Sequence, residues 1–172
     1  MRVIRCTKKL LKELRREGDT VTGGDDGLGG WHANLFLVLR RKCVLFIHDR
    51  SLYSLILVGL KRKDFDNLQF LFGEMLFKTM RVDGFSQKSI ERMLTEYEHV
   101  QFAPTSSRSV LGSMNDRIEH IRVQMWRYDS LESADIGRIR QSVNEAPMCA
   151  LNFALPVEEL ARVLGEGPSG RE

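Results

Sequence analysis

The segment Thr105-Ser106-Ser107-Arg108-Ser109-Val110-Leu111-Gly112-Ser113-Met114-Asn115-Asp116 concentrates hydroxyls, a guanidinium and side-chain acceptors where a helix should begin. A helix start leaves backbone N–H groups unpaired and carries about half a positive charge, so it attracts anions. Arg108, with Ser106, Ser107 and Ser109 around it, is therefore the expected anion-binding set. Two further basic pairs, Lys8-Lys9 and Arg41-Lys42, would engage phosphates if the fold brought them to the same face.

A second group of residues is a candidate polar pocket: Trp31, His32 and Asn34, together with Ser113, Asn115 and Asp116. In a strand from Trp31, His32 and Asn34 share one face and Trp31 the other. His48 joins His32 and Asn34 only in one register of the following hairpin, and a one-residue change reverses every side chain, so that question stays open. Neither H-x-x-x-H nor H-E-x-x-H spacing occurs, and no metal site or cofactor is expected. Ser113, Asp116 and His120 fall along one side of a helix, which would let Asp116 orient His120 in a hydrolase. The spacing suits a triad poorly, and the G-x-S-x-G elbow is absent.

Composition narrows the partners. The chain has 172 residues, 42% hydrophobic and 28% charged, enough for one buried core. Its longest apolar runs fall far short of the roughly 20 residues of a membrane span, so a cytoplasmic protein with no membrane partner is expected. Cys6, Cys43 and Cys149 are widely spaced and read as ordinary thiols. The net charge is +3, with basic clusters at residues 2–16 and 40–63 separated by a loop containing Glu17, Asp19, Asp25 and Asp26. Such clusters attract nucleic acid or another polyanion when they share a face, and otherwise form a solvated surface. Aromatic residues make up only 8%, with Trp31, Phe36 or Phe46 as candidates for base stacking. The alternative is a protein-interaction or structural module in which Arg108 meets an acidic partner.

The elements that position these residues follow from periodicity. Val3–Cys6 reads as a strand, and Thr7 as the cap of a helix carrying Leu10, Leu11 and Leu14. Gly27-Leu28-Gly29-Gly30 is followed by a strand rather than a helix, which argues against a dinucleotide-binding turn. Residues 31–60 alternate and break at Arg40-Arg41-Lys42 and Asp49-Arg50-Ser51, the pattern of a three-stranded antiparallel meander. Because Arg-Arg-Lys lacks the Gly or Asn of a two-residue primed turn, a longer first connection is expected.

Helices are expected from about 64, from Ser86, from Ser107 to Trp126 and from Ala134 to Val143. Val100–Ala103 reads as a strand stopped by Pro104, Met148–Leu155 as a last strand, and Pro156 as the start of a short helix.

With these segments placed, the chain resembles a family of uncharacterised, mostly bacterial proteins known as a domain of unknown function. The resembling pieces are Cys6-Thr7-Lys8-Lys9-Leu10-Leu11, Trp31-His32-Ala33-Asn34-Leu35, Arg41-Lys42-Cys43-Val44-Leu45-Phe46, Arg108 to Asp116, and Pro147-Met148. The resemblance implies no activity, cofactor or catalytic residue. Arg117 departs from it, standing where an apolar continuation is expected.

The fold expected is α+β: one domain over residues 1–164, with an antiparallel sheet at about 31–60 covered on one face by helices, and a flexible tail from 165 to 172.

Overall fold

In the computed structural model, residues 2–18, 20–21 and 27–167 are described. Asp19, Asp25 and Asp26 of the acidic loop lie outside them, as do residues 168–172 of the expected tail. The strands are β1 (Arg2–Cys6), β2 (Trp31–Val38), β3 (Arg41–His48), β4 (Ser54–Leu60) and β5 (Val100–Pro104). The helices are α1 (Lys8–Glu13), α2 (Arg62–Asp66), α3 (Leu68–Val82), α4 (Gln87–Glu96), α5 (Arg108–Met125), α6 (Ile136–Asn144) and α7 (Pro156–Leu164). The architecture is α+β.

The meander forms as its alternation predicts, with β2, β3 and β4 antiparallel in sequence. β1 then lies between β2 and β5 and runs parallel to both, giving the order β4-β3-β2-β1-β5. The sheet is therefore mixed rather than antiparallel throughout.

Helices cover both faces, not one. Ile4, Cys6, Ala33, Leu35, Val44 and Phe46 pack against apolar residues of α1, α2, α3, α4 and α7. On the opposite face, Phe36, Cys43, Leu45, Ile47 and Ile56 meet Met114, Ile118, Ile121 and Met125 of α5, and Ile139 and Val143 of α6. Both faces of the central strands are thus apolar, as strands buried on two sides must be.

Three local expectations change. The first connection of the meander is only two residues long: Val38 pairs with Arg41, and Leu39 and Arg40 turn with φ of 50° and 62°. That is the primed geometry usually reserved for Asn-Gly, here adopted by two residues that pay steric strain for it. The expected helix from about 64 is broken at Asn67 (φ −114°, ψ 24°) into α2 and α3. Met148–Leu155 is not a strand: Cys149–Leu151 form a single 3₁₀ turn, followed by Asn152 and Phe153 at positive φ.

The last helix begins at Pro156 and closes on Gly165 in the left-handed conformation. Glu166 follows and accepts hydrogen bonds from the backbone N–H and hydroxyl of Ser86, at the start of α4. Residues 165 and 166 thus belong to the packed structure. Among the described residues, no helix is long and apolar enough to cross a membrane.

Candidate functional site

Cys6 and Pro104 are register partners at the C-terminal ends of β1 and β5, and each strand leads into a helix. α1 carries Leu10 and Leu11 onto one face of the sheet, whereas α5 carries Met114 and Ile118 onto the other. Two neighbouring parallel strands therefore send their helices to opposite sides of the sheet, the pattern of a topological switch point. In open sheets such a switch point is where ligands bind.

The segments that follow these two strands contain much of the expected anion set. Ser107 caps α5, its Oγ accepting from the Val110 N–H at 3.3 Å, and Thr105 Oγ1 accepts from the Ser107 N–H at 3.4 Å. The Thr105 N–H is itself held by the Cys6 carbonyl at 3.1 Å, which fixes the loop to the end of β1. Ser106, Arg108 and Ser109 are exposed.

After β1, Thr7 begins α1 without capping it. Its hydroxyl instead donates to Asn34 Oδ1 at 2.9 Å, so the first turn of α1 receives no side-chain cap. Lys8 and Lys9 are exposed in that turn.

Arg41 and Lys42 lie elsewhere. Arg41 pairs with Glu132 at 3.1 Å and reaches the Gly59 carbonyl, and Lys42 pairs with Glu13 at 2.8 Å, at the end of α1 remote from Lys8. Both basic residues are already matched by carboxylates.

The proposed polar pocket is not brought together as one group. Trp31 is fully buried among Phe72, Tyr97 and His48, and Phe36 and Phe46 are buried too, so none of the three offers a ring to a ligand. Register places His48 opposite Trp31, on the other face of the sheet from His32 and Asn34. Ser113 is buried, while Asn115 and Asp116 are exposed on α5. His120 faces the Arg117 guanidinium at 3.5 Å, not Asp116. Burial, and then the Arg117 charge, lower its pKa, an environment opposite to that of a base oriented by a carboxylate.

Two residues singled out in the sequence take up arrangements that the sequence reading did not assign them. His32, only 3% exposed, hydrogen-bonds Asp49 through Nδ1 at 2.5 Å, and its buried Nε2 has no partner among the described residues. The signal was Asp49 in the turn after β3, which the pairing of β2 with β3 brings beside His32. Arg117 is also 3% exposed, donating to the Ala146 carbonyl at 3.0 Å, and burial lowers its pKa to about 10. Its signal was a charge inside the apolar stripe of Met114, Ile118 and Ile121.

A family model described as a domain of unknown function, DUF6933, matches residues 3–159. No curated protein matches the chain.

Proposed function

The chain belongs to the DUF6933 family, whose function is unknown, and from its own residues we propose that it binds a small phosphate-bearing anion between the starts of α1 and α5. The observation that carries this reading is the divergence of α1 and α5 from the neighbouring strands β1 and β5. Exposed at the ends of these two neighbouring strands are Lys8 and Lys9 after β1 and Ser106, Arg108 and Ser109 after β5. An anion bound between them gains backbone N–H donors, hydroxyls and three flexible cations.

A small anion fits better than a nucleic acid. Arg41 and Lys42 are paired with Glu132 and Glu13, and Trp31, Phe36 and Phe46, the rings expected to stack on bases, are buried. Of the phosphate-engaging residues expected, Lys8, Lys9 and Arg108 remain.

The test is a phosphate titration read by thermal unfolding at constant ionic strength. Inorganic phosphate at millimolar concentration should raise the melting temperature of the wild type, because it binds the folded state. Arg108→Ala and a Lys8→Ala, Lys9→Ala double variant should each lose most of that increment. An Arg41→Ala, Lys42→Ala double variant should keep it. Equal increments in all four proteins would reduce the site to a pair of helix starts and remove the reading.

A further inference from the structure

On the α3 face of the sheet the protein contains a cavity of about 600 Å³ between α3, the end of α4, β5 and the segment after α1. Small-molecule sites occupy about 300–1,000 Å³ and are mostly apolar with a few placed polar groups. The rings of Phe65, Phe70, Phe72, Phe77, Tyr97 and Phe102 line this one. Phe70 is 66% exposed, although a ring of that size would ordinarily be covered. None of Lys8, Lys9, Ser106, Arg108 and Ser109 borders the space.

Gly73 lines the same space from within α3, where a glycine weakens the helix relative to alanine. Its φ is not in the left-handed region, and a Cβ built on it would meet nothing within 4 Å. Neither backbone conformation nor close packing requires glycine at this position. Its missing side chain leaves room beside the aromatic rings.

The charged groups at the cavity are already matched within the chain. Asp66 pairs with Arg62 at 2.5 Å and Glu74 with Lys78 at 3.8 Å, each along its own helix. Arg16 lies over the Phe102 ring at 5.3 Å, Lys42 over Phe65 at 5.9 Å and Arg81 over Phe77 at 5.9 Å, so three of the rings already hold a cation of the chain. Arg16 and Glu98 are exposed and opposite in sign, and solvent screens both. An ion of either sign entering the cavity would give up its hydration without meeting a buried, unmatched charge, which is a net cost. A neutral molecule escapes that cost and keeps the gain from apolar burial.

Two neutral polar side chains complete the lining. Asn67 Nδ2 donates to the Lys63 carbonyl at 2.9 Å and Gln69 Nε2 to the Glu98 carbonyl at 2.5 Å. With the amide nitrogens engaged, Asn67 Oδ1 and Gln69 Oε1 are acceptors left for a ligand. We infer that this cavity binds a neutral aromatic molecule bearing an O–H or N–H donor, of the phenol or indole class. The site shares no residue with the proposed anion site.

The probe is 2-naphthol, uncharged near neutral pH, measured by equilibrium dialysis against the whole chain beside 2-naphthalenesulfonate, 2-naphthylmethylammonium and 2-methoxynaphthalene. The naphthol should bind with a Kd below about 1 mM, about tenfold more tightly than either ion. It should also bind several-fold more tightly than the methyl ether, which lacks the donor. Gly73→Leu places a helix-favouring side chain in the cavity and should abolish binding while the melting temperature is maintained or raised. Phe70→Ala trims an exposed ring, leaves the buried core untouched and should weaken the naphthol several-fold. The inference is overturned by equal affinity for either ion or for the methyl ether, by unchanged binding in Phe70→Ala or in a folded Gly73→Leu protein, or by no naphthol binding up to about 1 mM.

Discussion

His48 donates its Nε2 proton to the carbonyl oxygen of Leu28 at 2.8 Å, tying the end of β3 to the loop that enters β2. Its Nδ1 therefore accepts, and the hydroxyl of Ser51 lies 2.8 Å away to donate. Ser51 Oγ in turn accepts from the Tyr53 N–H at 3.2 Å. The neutral imidazole is the form this chain of bonds requires.

Stability should consequently fall in acid through His48. Burial lowers its pKa from 6.5 to about 4, so between those values the unfolded chain takes a proton that the folded chain refuses. The contribution is complete above pH 6.5 and is lost as pH falls towards about 4, amounting to about 3 kcal/mol. Urea unfolding of the wild type and His48→Gln at pH 7 and pH 4 checks this. The variant should show a shallower loss, and parallel losses would assign the acid sensitivity to carboxylates instead.

The Leu39-Arg40 turn should be improvable. Replacing both by Asn-Gly keeps the two-residue geometry and removes the left-handed strain, for a gain of about 1–2 kcal/mol. A lower urea midpoint in this variant would mean that the exposed Leu39 contributes more through contact than it costs in backbone conformation.

In α5, Met114→Ala and Ile118→Ala should each destabilise by about 2–5 kcal/mol, since both side chains are buried against the sheet. Glu119→Ala removes an exposed pair with Arg122 at 2.7 Å and should cost less than about 1 kcal/mol. The order of the three urea midpoints tests which side of α5 faces the core.

Local patterning exposed the meander, the start of α5 at Ser107 and the proline that opens α7, because each is written in side chains close together in sequence. The coverage of both faces was hidden in β2. His32 and Asn34 make the start of its second face look solvent-directed, yet both are buried, one held by Asp49 and the other by Thr7. The neighbouring placement of the α1 and α5 starts was only half legible. Ser106 to Ser109 announced a helix start, but nothing near Lys8 in sequence indicates that Cys6 will lie beside Pro104.

The pairing of Ile4 with Phe102 also orders events in time. A ribosome adds about 5–20 residues per second, so β1 waits on the order of 5–20 s for the strand that covers its second edge. During that interval β2, β3 and β4 can form their hairpins, which need only neighbours. The start of α5 comes beside the end of β1 only after β5 has docked, so the proposed anion site would form in one late step. A fragment ending before Val100 would present the edge of β1 unpaired, and association through that edge is the hazard it would carry.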